Sequence, residues 1–236
     1  MINLEKIVRP NIWKLLPYSS ARDEFSGKEG IFLDANENPY GTLNRYPDPY
    51  QKELKQELSK LKGVSNQNIF VGNGSDEVID LAFRIFCNPS IDKALCFTPT
   101  YGMYDVSASI NQIELLEVPL NNKFQIDLEK VKPFLTDSTI KLIFICSPNN
   151  PTGNLIDKND IEYILTYFKG IVIIDEAYID FAEGESLIGF INQYQNLIIS
   201  QTFSKARGLA AARVGTAYAN SKIITLFNKV KPPYNV

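Results

Sequence analysis

A lysine and an arginine close together are the first residues of this chain that could do chemistry. Lys205 and Arg213 lie in the stretch SKARGLAAARVG, and the residues between them are mostly Ala and Gly. A desolvated lysine amine is a nucleophile that attacks aldehydes, and the planar guanidinium of an arginine binds a phosphate through two hydrogen bonds. Small residues between the two let a ligand pack against the backbone. A surface lysine beside a tight helix crossing explains the same pattern, so other stretches must decide.

A glycine-rich turn is the second candidate. In GNGSDE, which follows the apolar residues 69–71, Gly72 and Gly74 permit a tight turn and Ser75 or Asp76 is placed to cap a helix. Free N–H groups at a helix N-terminus attract anions, most often phosphate. An ordinary strand-to-helix turn with a serine cap explains the same residues. The stretch is not a dinucleotide-binding motif, because the third glycine of that motif is missing.

Two more polar clusters follow apolar runs. SPNNPTGN combines turn residues with two adjacent amides, Asn149 and Asn150, which a plain loop does not require. In DEAY, Asp175 ends a run of buried-strand type, where a carboxylate is costly unless it meets a cation or hydrogen-bond donors. Asp175 therefore predicts a positive partner in a cleft. Tyr178 is placed to approach the same ligand, while Glu176 is equally well a solvated neighbour.

Histidine is absent from the sequence. Ser-His-Asp and Cys-His catalysis are therefore excluded, as are metal sites that need imidazole. If the chain is an enzyme, its base is a lysine, a carboxylate or a tyrosine. Cys87, Cys96 and Cys146 lie in or beside apolar runs without the spacing of metal ligands. We expect them to be buried free thiols, which fits a cytoplasmic protein.

Size and charge restrict the partners. The chain has 236 residues, 44% of them hydrophobic, and a formal net charge of -3, so it has enough apolar residues for a sizeable core. A chain with no basic surplus is not a general nucleic-acid binder. No apolar run approaches the ~20 residues that span a bilayer. We expect small-molecule ligands, with neither nucleic acid nor membrane as a partner.

Apolar runs that alternate with helical patterns must position these clusters. This alternation predicts an α/β fold with a mostly parallel central sheet and helices on both faces. Ligands of such sheets lie beyond the carboxyl ends of the strands. We expect an N-terminal arm over residues 1–34 and one large domain over 35–236. The predicted strands are 69–71, 94–97, 142–146, 171–174 and 197–199, and the predicted helices are 49–61, 76–86 and 158–168.

Together these clusters predict one ligand that contacts all of them. It needs a phosphate, a buried cation, a hydroxyl or phenolate, and an aldehyde, and pyridoxal phosphate has all four. The groups that would meet them are Gly74, Ser75, Ser204 and Arg213 for the phosphate, Asp175 for the cation, Tyr178 and Asn150 for the hydroxyl, and Lys205 for the aldehyde.

These motifs also carry a family resemblance. GSDE, SPNNPTGN, DEAY and SKARGLAAARVG, in this order, resemble the fold-type I pyridoxal-phosphate aminotransferases. LDANENPYG, NRYPDP and the final KPPYNV are typical of the histidinol-phosphate aminotransferase family, in the class II subgroup. The match runs from about Arg9 to Val236. It implies the large domain of fold type I, and family members continue into a small C-terminal domain that we expect this chain to lack.

The resemblance implies a role for each position. Lys205 holds the cofactor covalently and is the general base, Asp175 pairs with the pyridine nitrogen, and Tyr178 bonds the ring hydroxyl; these three are the catalytic residues. Tyr101 stacks on the ring, although a core aromatic is the alternative. Arg207 does not match the phosphate arginine and has no assigned role. The other implied cofactor contacts are Gly74, Ser75, Asp76, Asn150, Thr202, Ser204 and Arg213, with Asn36, Glu37 and Asn38 binding substrate.

The resemblance also implies a partner and a reaction. Tyr46 reaches the phosphate held by the neighbouring subunit, so the expected unit is a homodimer. The amino group passes between L-histidinol phosphate and 2-oxoglutarate, which gives imidazole acetol phosphate and glutamate in histidine biosynthesis. The alternatives are an aminotransferase for aromatic or other amino acids, and a catalytically incompetent remnant that binds the cofactor or a partner subunit. Whether the chain is active by itself stays open.

Overall fold

A seven-stranded sheet forms the centre of the molecule. The computed structural model describes residues 2–18, 30–31 and 33–235. Within these residues the strand order is β1-β7-β6-β5-β4-β2-β3. β7 is antiparallel to β1 and β6, and the other neighbouring strands are parallel, so the predicted mostly parallel sheet is confirmed. The strands are β1 (Ile69–Asn73), β2 (Lys93–Thr98), β3 (Glu114–Pro119), β4 (Ile140–Cys146), β5 (Ile171–Asp175), β6 (Leu197–Thr202) and β7 (Val214–Ala219).

Helices cover both faces of this sheet, as the sequence predicts. One hydrophobic cluster joins the sheet to α1, α2, α4, α5 and α8, and a second cluster joins the other face to α3, α6 and α7. The helices are α1 (Leu4–Ile7), α2 (Pro10–Lys14), α3 (Lys52–Lys62), α4 (Ser75–Phe86), α5 (Met103–Ile110), α6 (Leu128–Val131), α7 (Lys158–Tyr167) and α8 (Ser221–Val230).

The period of two in the strands decides which face each side chain reaches. In β5, Ile171 and Ile173 belong to the cluster with α4 and α5, whereas Val172 and Ile174 belong to the cluster with α7. All four are fully buried, which explains why the strand is apolar at every position. By the same alternation, Asp175 continues the face of α4 and α5.

Two strands were not predicted from the sequence. β3 is an edge strand with the sequence ELLEVP, and all but one of its residues are exposed or partly exposed. It therefore lacks a continuous apolar run. β7 reads VGTAYA and consists largely of small residues. β7 is buried because it lies between two strands, β1 and β6. Its sequence has no run of large apolar residues that would predict a buried strand.

The start of α4 differs from the prediction. Neither Ser75 nor Asp76 caps the helix: Gly74 is the N-cap residue, with φ of 86°, and Ser75 is the first helical residue. Glu77 instead turns back and its Oε2 accepts a hydrogen bond of 2.6 Å from the backbone N–H of Asn73. Glycine has no side chain that could cap the helix, so the first turn of α4 has no side-chain cap from its N-cap residue.

The N-terminal arm is held against the domain. Ile7, Val8 and Ile12 are buried in the cluster with α4 and α8, and the backbone N–H of Arg9 donates to the carbonyl of Ile85 at 2.9 Å. The predicted boundary at residue 34 stays a prediction. Parts of the arm and the end of KPPYNV lie outside the described residues, namely Met1, residues 19–29, Phe32 and Val236.

Candidate active site

A cavity of about 220 Å³ lies at the carboxyl edge of the sheet. The chain segments that follow β1, β4, β5 and β6 converge there, as expected for parallel strands. β7 contributes as well, because it is antiparallel and therefore starts at this edge. The cavity is lined by Ser75, Asp76, Tyr101, Cys146, Asn150, Asp175, Ala177, Tyr178, Thr202, Ser204, Lys205, Ala210 and Arg213.

Asp175 is a buried carboxylate at the floor of this cavity, with 2% of its surface exposed. Its Oδ2 accepts a hydrogen bond of 2.9 Å from the hydroxyl of Tyr104, and its Oδ1 accepts one of 3.1 Å from the backbone N–H of Ala177. Burial raises the pKa of the Asp175 carboxyl to about 6, although these two hydrogen bonds lower it. A carboxylate in this state favours a bound cation, which restores the ionised form.

Tyr104 was missed by the sequence analysis. It is fully buried on α5, stacked on Phe144 with ring centroids 4.9 Å apart and edge-on to Tyr101 at 5.7 Å. Burial next to Asp175 raises the pKa of its phenol well above the usual range, so the hydroxyl remains a donor. No local pattern marks Tyr104, because Tyr101 precedes the helix that begins at Met103 and the two residues are not part of one helical face.

Replacing Tyr104 by Phe is expected to raise the pKa of Asp175 further above about 6, because the carboxylate loses a donor. The lost hydrogen bond stabilises only the ionised carboxylate. We therefore expect the free energy of unfolding to fall by roughly 1.5–3 kcal/mol above that pKa and to change little in acid. Carboxyl NMR titration and denaturation at several pH values measure both effects. Tyr218→Phe, on the opposite face of the sheet, is the control; an unchanged Asp175 titration in Tyr104→Phe contradicts the prediction.

An anion cradle lies at one end of the cavity. Val214, the first residue of β7, pairs with Asn73 at the end of β1, which brings Arg213 beside the N-terminus of α4. A Cβ on Gly74 would collide with Nη2 of Arg213, and a Cβ on Gly215 would overlap the backbone of Gly74 and Ser75. These glycines are required by the close approach of backbone and guanidinium. The cradle therefore combines a helix N-terminus with an arginine.

Polar side chains extend this cradle. Nη1 of Arg213 lies 3.5 Å from the hydroxyl oxygen of Ser204, and the hydroxyl oxygen of Thr202 accepts a hydrogen bond of 3.1 Å from the backbone N–H of Ser204. Asp76 lies 3.9 Å from Nη2 of Arg213 and accepts a hydrogen bond of 3.1 Å from the hydroxyl of Tyr101. Tyr101 thus lines the cavity and at the same time packs, partly buried, against the hydrophobic cluster of α4 and α5; its stacking role stays a prediction.

Lys205 and Tyr178 lie at the mouth of the cavity. The Nζ atom of Lys205 is 5.6 Å from the centroid of the Tyr178 ring. Lys205 is an exposed residue in the protein alone, so the desolvated amine that the chemistry needs stays a prediction for the complex with a ligand. The lysine follows the buried strand β6 and its side chain is free of the core, so burial of its amine requires a ligand in the cavity.

The two asparagines of SPNNPTGN have different environments. Asn149 is buried and ties loops together: its Nδ2 donates to the carbonyl of Pro99 at 2.9 Å and to Thr152 Oγ1 at 2.7 Å, and its Oδ1 accepts from Thr100 at 3.1 Å. Asn150, the next residue, lines the cavity. Of the two amides, Asn150 is the one that lines this cavity.

Glu176 is not the solvated neighbour that the sequence left open. It is 2% exposed, and its carboxylate accepts hydrogen bonds from the hydroxyl of Ser186 at 2.6 Å, the N–H of Leu187 at 2.7 Å and Nε2 of Gln201 at 2.8 Å. Burial raises the pKa of Glu176, and these donors lower it. Glu176 is thus a structural link between the segment after β5 and strand β6.

Five predicted residues are not among those that line the cavity. One is Gly74, the N-cap residue of α4, and the other four belong to the segment 36–46. Asn36 has a positive φ of 53°. Glu37 accepts from the backbone N–H of Tyr46 and pairs with Arg45, both at 2.7 Å, and Asn38 accepts from the N–H of Tyr40 at 2.9 Å. Tyr46 stacks on Tyr234 with centroids 4.4 Å apart. Their roles stay predictions.

Comparisons with known proteins agree with this geometry. The family "Aminotransferase class I and II" matches residues 29–236. The histidinol-phosphate aminotransferase of Cytophaga hutchinsonii is 53% identical over 239 aligned positions, which cover 99% of this chain and 68% of that protein. The chain belongs to the histidinol-phosphate aminotransferase family. The enzyme of the same name from Bacteroides thetaiotaomicron is 56% identical and covers all of this chain, again over 68% of its own length.

Solved structures of this aminotransferase family share the fold. The Clostridium acetobutylicum enzyme superposes with a TM-score of 0.74 at 27% identity, over 82% of this chain and 58% of that chain. The Sinorhizobium meliloti enzyme, solved in complex with pyridoxal-5'-phosphate, gives a TM-score of 0.73 at 25% identity, over 80% of this chain and 52% of that chain. The chain thus spans about two thirds of the matched curated relatives and less of these structures.

The part of the chain that the structure describes has neither a membrane-spanning helix nor a metal cluster. Its helices include none with the length and apolarity of a bilayer span, and its acidic and cysteine side chains form no cluster suited to a metal ion. Cys87, Cys96 and Cys146 are free and buried, so the prediction of buried free thiols is confirmed.

Proposed function

We propose that this chain forms the cofactor-binding domain, over residues 35–236, of a cytoplasmic histidinol-phosphate aminotransferase. The reaction transfers the amino group between L-histidinol phosphate and 2-oxoglutarate and yields imidazole acetol phosphate and glutamate. The observation that carries the proposal is the convergence of Lys205, buried Asp175 and the Arg213 cradle on one cavity. The family membership supports the choice of substrate.

The residues present fit pyridoxal phosphate. The phosphate suits the cradle of Gly74, Ser75 and Arg213, where any Cβ on Gly74 would displace the guanidinium. Asp175 is a buried carboxylate whose pKa is raised by burial, so a cationic ring nitrogen beside it would favour its ionised form. When bound, the cofactor supplies an aldehyde and an electron-withdrawing ring. The proposed further contacts are Asp76, Tyr101, Asn150, Tyr178, Thr202 and Ser204, which all line the cavity.

The protein's own groups then have separate tasks. The Lys205 amine would hold the cofactor and, once released by substrate, would move a proton from the substrate α-carbon to the cofactor's aldehyde carbon. Asp175 stays ionised next to a cation, oriented by Tyr104 and Ala177. Tyr178 and Asn150 supply a hydroxyl and an amide for the ring oxygen. Tyr101 covers one side of the cavity and keeps water from it.

The homodimer and the substrate contacts are part of the same proposal. Tyr46 is half-exposed, at 51%, and lies outside the cavity lining of its own chain, which suits a residue that serves a neighbouring copy. Asn36, Glu37 and Asn38 belong to the same segment and are proposed to meet substrate in that assembly. Glu37 orders this segment through its contacts with Arg45 and Tyr46.

Reductive trapping tests the proposal. The purified chain is incubated with pyridoxal phosphate, treated with borohydride, digested and mapped by mass spectrometry. We expect the cofactor's mass on the peptide that contains Lys205, at one equivalent per chain. Lys222, an exposed lysine at the start of α8, is the internal control and should remain unlabelled. Labelling spread over many lysines, or none, contradicts the assigned site.

Substrate addition separates the remaining alternatives. L-Histidinol phosphate added to the cofactor-loaded protein is expected to discharge the visible absorbance of the lysine-bound cofactor faster than L-phenylalanine does. Equal or faster conversion by L-phenylalanine would favour an aromatic aminotransferase. Binding of the cofactor without conversion by any amine would favour a non-catalytic remnant.

A further inference from the structure

A bidentate ion pair joins the two loops that carry Lys205 and Tyr178. Nε of Arg207 lies 2.9 Å from Oδ2 of Asp180, and Nη2 lies 3.1 Å from Oδ1. Arg207 is two residues beyond Lys205, and Asp180 is two residues beyond Tyr178. No role for Arg207 follows from the sequence alone.

Backbone hydrogen bonds fix the shape of the lysine loop but not its place against the other loop. The N–H of Gly208 donates to the carbonyl of Lys205 at 3.0 Å, and the N–H of Leu209 donates to the carbonyl of Phe203 at 2.9 Å. Both bonds close the loop on itself. The Arg207–Asp180 pair instead crosses from this loop to the short 3-10 helix Ile179–Phe181 that follows Tyr178.

The contact has the geometry that makes an ion pair directional. Two parallel N–H to oxygen bonds set both the distance and the angle between the loops, which a lysine in place of Arg207 could not do. The two side chains keep 38% and 33% of their surface exposed, so the pair contributes little to global stability. Its expected effect is therefore local, on the relative position of Lys205 and Tyr178.

A second link holds the base of the same loops. Glu176 and Gln201, one residue beyond β5 and one residue before the end of β6, are joined by a hydrogen bond of 2.8 Å. The loops are thus held once at the sheet and once further out. Between these two links, Nζ of Lys205 lies 5.6 Å from the centroid of the Tyr178 ring.

We propose that Arg207 and Asp180 are positioning residues that hold the Lys205 loop and the Tyr178 loop in register across the cofactor cavity. They do not line the cavity themselves. They act through the two residues that do, by preventing the loops from moving apart before the cofactor binds. This inference rests on the proposed function for its consequence, but the link itself is a property of the protein without cofactor.

The test compares Arg207→Gln, Asp180→Asn and the double variant. The control is Arg84→Gln, since Arg84 pairs with Asp80 at 2.8 Å on α4 with a similar exposure of 52% and 28% and lies outside the cavity lining. Two quantities are measured: the dissociation constant of pyridoxal phosphate, by absorbance titration, and amide hydrogen exchange of residues 203–209 in the protein without cofactor.

Each single variant is expected to bind the cofactor roughly threefold to tenfold more weakly, with the double variant no weaker than the worse single one. Hydrogen exchange of the lysine loop should rise in all three. Arg207→Lys, which keeps the charge without the fork, should fall between wild type and Arg207→Gln. Affinities within twofold of wild type, or losses that multiply in the double variant, would overturn the proposal.

The two readouts keep this inference separate from the proposed function. If wild type itself fails to bind pyridoxal phosphate, the proposed function fails, while loop exchange still tests the link. If wild type binds pyridoxal phosphate, and the variants match Arg84→Gln in both cofactor affinity and amide hydrogen exchange, only the proposed positioning role of Arg207 and Asp180 is contradicted. If Arg207→Gln does not fold, two other variants test the same ion pair. Asp180→Asn removes the charge of the other partner, and Arg207→Lys keeps the positive charge but loses the two parallel hydrogen bonds.

Discussion

Lys205→Ala is expected to remove the visible absorbance of the lysine-bound cofactor and to lower transamination more than any other single change in this chain. The variant loses both the covalent attachment and the proton carrier. Loss of general base catalysis alone lowers a rate by on the order of 10²–10⁴. The remaining contacts at Arg213 and Asp175 do not involve the amine, so the cofactor should still bind without covalent attachment. Absorbance spectra and single-turnover rates measure both effects.

Lys222→Ala is the matched control for that change. Lys222 is an exposed lysine on α8, and only its backbone N–H takes part in the helix cap with Asn220. We expect a spectrum and a rate like those of wild type. Retention of the visible absorbance or of near-normal turnover in Lys205→Ala would mean that another amine does the chemistry, and the assignment of the site would be wrong.

Asp175→Asn is expected to give the second largest loss of activity and, in the protein without cofactor, a gain in stability. The amide cannot neutralise a cation on the ring. Removing one preorganised electrostatic partner from an active site lowers a rate by at least about 10²-fold. Turnover and cofactor affinity should fall together, because the same charge acts in both. Steady-state kinetics and absorbance titration test this.

The stability effect has a defined dependence on pH. Burial raises the pKa of Asp175 from its usual value of 3.8 to about 6, so the folded protein binds this proton more tightly than the unfolded chain does. Wild-type stability therefore falls as pH rises from 3.8 through about 6 and stays reduced above it. Asp175→Asn lacks this loss and should be more stable than wild type by roughly 1–3 kcal/mol at neutral pH.

Denaturant unfolding without cofactor at pH 4 and at pH 8 measures this difference. The gain should be fully present at pH 8 and much smaller at pH 4, where the folded carboxyl is protonated and the unfolded carboxyl, with its usual pKa of 3.8, is only partly ionised. Asp180→Asn is a suitable comparison, because Arg207 lowers the pKa of Asp180, so removal of this carboxylate should give no gain in stability at pH 8. A variant Asp175→Asn that is less stable than wild type at pH 8 would contradict the burial argument.

Much of this fold follows from local sequence patterns. The five predicted strands occur at the expected positions, because an apolar run such as IVII leaves few alternatives to a strand buried on both faces. The predicted helices occur with shifted ends: residues 49–61 correspond to Lys52–Lys62, and 158–168 to Lys158–Tyr167. Ends are less certain since a glycine such as Gly74, with its positive φ, can replace a polar cap.

Local motifs identify the groups that could meet a cofactor, since Lys205, Asp175, Asn150 and Arg213 each follow or precede a strand in a recognisable motif. How these groups come together depends on contacts between distant segments. The antiparallel course of β7 brings Arg213 to the helix start at Gly74, the α5 helix brings Tyr104 to Asp175, and packing of two loops pairs Arg207 with Asp180. The physical reason is that residue type and period are local properties, whereas strand direction and hydrogen-bond partners depend on segments far apart in the chain.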